Sequence, residues 1–254
     1  MEYCYWCEKV ATSREHVPPK CIFPEKKDIE SVFGQNFRKD LITVPSCDEH
    51  NLKKSNDDEY LMAVLSGRVG NNGIAYVHNA TKVNRTRKRN TQLLDVKESG
   101  FVNSEKNKYP VEVITLDNYR LIHSFEAIGR ALFYHEFEKR FEGECKFISD
   151  IFVDFNKHSE KQFMTESYSI LQKDRNYWKT GIKAENPRIF VYQFSEIDGF
   201  GTRTLYLRFF EKTEIFVIMR EYIEKKMDVE EKNSFENSRN FAKKFADELF
   251  KGRN

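Results

Sequence analysis

Glycine and proline are scarce, 11 and 6 in 254 residues, while hydrophobic residues make up 39% and aromatics 14%. Collagen-like, low-complexity and disordered chains need the opposite balance, so this chain is expected to fold around a core. No uncharged apolar run approaches the ~18 residues of a membrane span; the longest candidates are short pieces such as 215–219. The opening MEYCYWCEK has no basic-then-apolar leader, and the expectation is a cytoplasmic protein with no membrane partner. Cysteine is sparse and odd in number, five, which speaks against a disulfide scaffold and for a reducing compartment. A large charge excess is missing too. With 42 Lys and Arg against 40 Asp and Glu, the net charge of +2 neither demands nor excludes a polyanionic partner. At ~150 residues per domain, the length allows one large domain or two modest ones.

What is present is unevenly spread. Residues 1–60 hold four of the five cysteines and four of the six prolines, the composition of a small, ligand-dense module. Residues 61–110 carry 9 basic against 3 acidic residues, including the run KVNRTRKR over 82–89. The module is predicted to contain a strand over 12–16 stopped by Pro18-Pro19, and a second over 41–44 stopped by Pro45. The 20-residue connection between them shows no obvious structure. Ser46-Cys47-Asp48-Glu49 matches a capping box and predicts a helix from Cys47; Ser55 and Asp58 repeat the spacing, so a second helical piece should end near Gly67.

Further along, the polar stretch 98–108 suggests a linker, 110–116 a strand, and Asp117 the cap of an amphipathic helix to about Phe141. A strand is expected over 146–155 and a helix over 159–178. Three β-branched and aromatic runs, 188–194, 203–210 and 214–220, predict an antiparallel meander, and 228–253 a charged helix. There is no internal repeat. The fold class is therefore α+β, divided into a module at 1–66 and a mixed α+β domain at 67–254 of unassigned role, for DNA grip, dimerisation or sensing.

Cys4-x-x-Cys7 and Cys47-x-x-His50 supply three sulfurs and an imidazole, a ligand set matching tetrahedral Zn²⁺ in a structural role. Cys47 lies at a helix N-terminus, where the helix dipole favours thiolate. Trp6, between the first two ligands, is expected to cover the knuckle. Cys21, Cys145, His78, His123, His135 and His158 have no partner at ligand spacing and read as packing or surface residues.

Taken together, Cys4-x-x-Cys7, Glu15-His16-Val17-Pro18-Pro19, Leu41-Ile42-Thr43-Val44-Pro45 and Cys47-x-x-His50-Asn51-x-x-Lys54-Ser55 resemble an HNH endonuclease, the ββα-metal nuclease family. The resemblance covers about a quarter of the chain, roughly 1–66. It implies a ββα-metal (HNH) module in which His16 is the general base and Glu15 and Asn51 hold one Mg²⁺ or Mn²⁺. The family often has Asp where Glu15 stands, and its middle Asn falls here around Lys39-Asp40. Asp58 or Glu59 are further candidate ligands. The implied reaction is hydrolysis of DNA to a 5′-phosphate and a 3′-hydroxyl, with double-stranded DNA as partner and a bacterial anti-phage or restriction role by analogy. A protein partner or a homodimer would then restrain it. On that reading Lys53, Lys54, Lys82, Arg85, Arg87, Lys88 and Arg89 are candidates for phosphate contacts. The alternatives are a zinc-ribbon adaptor without catalysis and a nuclease that cuts RNA.

Overall fold

The computed structural model describes residues 2–51, 54–103, 108–153 and 158–222. Residues 1–221 form one compact unit. A second unit, 222–254, lies outside the described residues apart from Tyr222, and the helix expected over 228–253 falls there.

The first elements are β1 (Ser13–His16) and β2 (Thr43–Ser46), paired antiparallel with His16 opposite Thr43 and Ser13 opposite Ser46. The second strand thus starts two residues later than expected and runs through Pro45 instead of stopping there. A two-stranded sheet tolerates proline because each strand is an edge with one unpaired side, and the Pro45 carbonyl accepts from the Tyr5 N–H at 2.9 Å. The connection expected to be structureless contains a 3₁₀ turn, Lys20–Ile22, and helix α1 (Lys26–Phe33). Gly34, at φ 67°, ends that helix in the left-handed region where glycine carries no Cβ penalty.

The expected capping box does not form. Helix α2 (Asp48–Asn51) begins one residue late, and the Cys47 carbonyl accepts the first bonds, from His50 N at 3.1 Å and Asn51 N at 3.0 Å. Ser46 is buried, and its hydroxyl donates to Glu15 Oε2 at 3.3 Å instead of capping. The two helical pieces are present: α3 (Ser55–Gly67) follows, and Tyr60 to Leu65 are all buried, so this helix lies inside the protein.

Asn72 caps α4 (Gly73–His78) by accepting from Ala75 N at 3.1 Å. A π-helical turn over Asn79–Val83 joins it to α5 (Asn84–Arg89). The stretch expected as a linker is instead half of a β-ribbon, β3 (Asp95–Asn103) against β4 (Lys108–Thr115), with a bulge between Val96 and Glu98. Helix α6 (Asn118–Phe137) has the expected cap, Asp117 Oδ1 accepting from Arg120 N at 3.2 Å, but ends at Glu138 and not Phe141.

The sheet has the order β5-β8-β7-β6, all antiparallel. Its members are β5 (Gly143–Ile148), β6 (Phe190–Phe194), β7 (Thr202–Phe209) and β8 (Thr213–Glu221). The meander is as expected. The strand expected over 146–155 starts earlier and gives way to a 3₁₀ turn at Asp150–Phe152. Helix α6 covers one sheet face, with Gly129 set against Leu205 and Val217. Helix α7 (His158–Arg175) covers the other, where Met164, Tyr168 and Leu171 meet Val191, Tyr206 and Phe216. Alternation along each strand divides the apolar side chains between the two faces. The hydrophobic core continues from Cys4 to Met219, across the residue-66 boundary.

Candidate metal centre and adjoining cleft

A tight turn closed by the Cys4 N–H to Lys9 carbonyl bond, 2.9 Å, and a bridge between Tyr3 and Val10 present Cys4 and Cys7. The start of α2 presents Cys47 and His50. The three Sγ atoms and the imidazole nitrogen all lie within 4.8 Å of one another. Cys7 Sγ is 3.8 Å from Cys47 Sγ, and His50 Nδ1 is 3.7, 3.5 and 3.2 Å from the sulfurs of Cys4, Cys7 and Cys47. With Zn–S near 2.3 Å and Zn–N near 2.0–2.1 Å, a tetrahedron has S–S edges of about 3.8 Å and S–N edges of about 3.6 Å. The donor set and its spacing therefore fit zinc.

The electrostatics favour ligation by His50 and Cys4 and oppose it at Cys7, whose thiolate needs the metal itself. Burial pulls the His50 imidazole below its usual value, so it is neutral and able to ligate at pH 7. Burial works against ionisation of Cys4, but backbone N–H groups around it outweigh this and lower its thiol. Burial and the neighbouring sulfurs push Cys7 up to about 11. Trp6 stacks on His50 with centroids 5.0 Å apart and planes 14° apart, covering the knuckle as expected, and the Arg130 guanidinium lies 5.2 Å from the Trp6 ring.

Beside the centre lies a cleft of about 310 Å³ whose lining includes Glu15, His16, Asn51, Asp58 and Glu59. The end of β1 supplies the first two, α2 the third and α3 the last pair, so the knuckle joining β2 to α2 positions one wall against the other. Asn51 Nδ2 donates to Ser13 Oγ at 2.8 Å, which fixes the amide and leaves its carbonyl oxygen for another partner. Burial lowers the His16 pKa, helped by Lys20 and Arg38 and opposed by Glu15. The ring is thus a neutral base at pH 7.

Glu15 is 6% exposed and ion-paired with Lys54. Asp58 Oδ1 is buried and makes no hydrogen bond among the described residues. Burial pushes the Asp58 carboxyl up to about 7, against the pull of Lys54. Asp40 adopts φ 52° ahead of β2 and does not line the cleft.

The basic residues divide. Lys53 lies outside the described residues. Lys54 is 4% exposed and turned inward, so it is not the phosphate contact expected of it; the Glu15 carboxylate, with Asp58 behind it, draws its ammonium in. Lys82 pairs with Glu25 at 3.4 Å, Arg85 with Asp28 at 2.6 Å, Arg87 with Glu112 at 2.8 Å and Arg89 with Glu59 at 3.4 Å. These pairs tie α4–α5 to α1, to the ribbon and, through Arg89, to the cleft wall. Lys88 has no recorded ion pair among the described residues. Arg14 and Lys20 also line the cleft and were not singled out from sequence. Their positions one before Glu15 and four after His16 were the available signal.

Neither protein-family models nor curated proteins nor solved structures yield a match to this chain. Among the described residues no helix is long and apolar enough to cross a membrane.

Proposed function

We propose that the protein is a metal-dependent HNH-type endonuclease that hydrolyses DNA. The observation that carries the reading is one cleft lined by a neutral imidazole, His16, and by the oxygen-bearing side chains of Glu15, Asn51 and Asp58, next to a zinc-shaped Cys₃His cluster. The unsatisfied Asp58 Oδ1 is the kind of buried oxygen that a hard cation such as Mg²⁺ or Mn²⁺ satisfies. Such an ion, held by Glu15, Asn51 and Asp58, supplies charge stabilisation to the phosphate and the departing 3′-oxygen.

The chain's own residues do the rest. His16 accepts the proton of the attacking water at its free ring nitrogen, worth ~10²–10⁴ in rate. Asn51, braced by Ser13, lines the cleft with an amide oxygen that its hydrogen bond leaves available. Arg14 and Lys20, which line the cleft, meet the flanking phosphates. The products are a 5′-phosphate and a 3′-hydroxyl. Duplex DNA in the cytoplasm, within an anti-phage or restriction system held in check by a partner or by self-association, is the setting this chemistry suits.

A second reading, a zinc module that binds nucleic acid without cutting it, is favoured by the Lys54–Glu15 pair, which engages one of the oxygen donors. Digestion of duplex DNA, single-stranded DNA and RNA side by side in Mg²⁺ and in Mn²⁺ tests both. Cleavage of duplex DNA with 5′-phosphate ends supports the nuclease; RNA cut in preference moves the substrate to RNA. Binding without cleavage under every ion supports the adaptor.

A further inference from the structure

The described residues around the cleft contain one charge arrangement that the nuclease reading leaves unused. Lys54 stands three residues after Asn51, immediately before α3, and is 4% exposed. Its Nζ is ion-paired with Glu15 Oε1 and lies 4.0 Å from Asp58 Oδ1, the oxygen that makes no hydrogen bond among the described residues. Glu15 accepts a further bond from the Ser46 hydroxyl at 3.3 Å. Two carboxylates, the buried Glu15 and Asp58 with its one buried oxygen, therefore face a single ammonium, and the His16 imidazole lines the same cleft. One ammonium balances one carboxylate and leaves the other under-compensated, whereas a divalent ion balances both. The ammonium and a divalent ion cannot share the same carboxylate at close range, because their mutual repulsion in a partly buried site is large. Lysine is suited to giving way, being a point charge on a flexible four-carbon stem with no fixed fork geometry to lose.

We propose that Lys54 is a built-in counter-ion: it occupies the oxygen ligands of the cleft when metal is scarce, and a divalent cation binds only by displacing it. Metal binding and release of Lys54 are then one event, and the cleft is only partly neutralised when the ion is absent. This rests on the reading of Glu15 and Asp58 as metal ligands. It goes beyond that reading by assigning Lys54 as a competitor for the metal, not a phosphate contact.

Amine labelling of zinc-loaded wild-type protein tests it, with the modification of Lys54 followed by mass spectrometry as MnCl₂ is added and with exposed Lys27 as internal reference. Lys54 should be protected without Mn²⁺ and label at least tenfold faster with it, while Lys27 is unchanged. Continued protection of Lys54 while paramagnetic resonance shows Mn²⁺ bound overturns the displacement, and so does a Lys54 that labels freely without metal. Two variants add a second measurement. Lys54→Gln should bind Mn²⁺ at least tenfold more tightly than wild type, and Lys54→Arg should not; equal affinity in wild type and Lys54→Gln contradicts the proposal. DNA cleavage recorded in parallel keeps the readings apart. Cleavage with Lys54 still shielded removes the counter-ion role and leaves the nuclease, whereas absence of both Mn²⁺ binding and cleavage removes both.

Discussion

His16 owes its chemistry to its surroundings more than to its identity. Burial, Lys20 and Arg38 favour the neutral ring and only Glu15 opposes them, so its pKa lies below the usual imidazole value. Cleavage, if His16 is the base, should rise with pH through a midpoint below about 6.5 and then level off, as a log-rate profile in Mn²⁺ will show. His78 presents a separate case. It is fully buried, its Nε2 lies 3.0 Å from the Cys21 carbonyl, its Nδ1 has no hydrogen-bond partner among the described residues, and burial pushes its pKa to about 4. The folded value lies below the unfolded one of ~6.5, so the unfolded chain binds more protons between the two. The stability from this group is fully present above ~6.5 and is lost as pH falls towards 4, on the order of 2–3 kcal/mol in all. Denaturant melts across that range should show this loss in wild type, and His78→Gln should flatten it. The four donors of the Cys₃His cluster were legible because they sit in two short-spaced pairs, whereas Glu15, His16 and Asn51 were singled out through the family resemblance and are found lining one cleft. The inward direction of Lys54 was not legible, since it depends on where α3 starts and on carboxylates that other elements deliver.

The element that matters most is the clasp between the N-terminal turn and α2. Four donors that could hold a metal join residues 4 and 50, and β1 and β2 between them are only four residues each, so a bound metal would supply cohesion that these short strands lack. Cys47→Ser, or stripping zinc with a chelator, is expected to lower Tm by roughly 10 °C, a loss of about 3 kcal/mol. Trp6 fluorescence should change with it, because that ring stacks on His50. His16→Ala should leave Tm in place; a similar fall in both variants contradicts the division between structural and chemical roles. A second element-scale constraint is the start of β5. A Cβ at Gly143 would stand 2.0 Å from the Arg220 carbonyl oxygen and 2.7 Å from the Phe141 ring, so Gly143→Ala should destabilise by about 2–3 kcal/mol in denaturant melts. Helix α6 was readable from its apolar period and the Asp117 cap; α3 and α7 stand close to their expected places, but α3 begins after Lys54 with no side-chain cap. Helix α1 was not readable, for it is only eight residues long and buries only Ile29 completely, and β3 hid in a polar stretch because none of its residues is buried, while its partner β4 was expected over 110–116.

At the scale of the molecule, composition and strand pattern gave the α+β class and the meander, because β6, β7 and β8 follow one another through short turns. The place of β5 beside β8 could not be read locally, since Gly143 pairs with Glu221 across the intervening helix and two strands. The continuity of the core was equally hidden: Tyr60 to Leu65 look like the end of a small module, yet they are buried along a helix that packs against α6. Charge shows the same limit. A run of five basic residues reads as a nucleic-acid stripe, whereas four of them are engaged by carboxylates from α1, α3, β4 and the segment before α1. What this whole arrangement delivers is one cleft in which an imidazole meets oxygen donors. The most direct measurement of its purpose is nicking of supercoiled plasmid by zinc-loaded wild type and His16→Ala, matched for Tm, in Mg²⁺ or Mn²⁺. The expected result is divalent-dependent nicking by wild type and a rate at least 100-fold lower in the variant; equal rates in the two, or no nicking by wild type with either ion, would contradict the account.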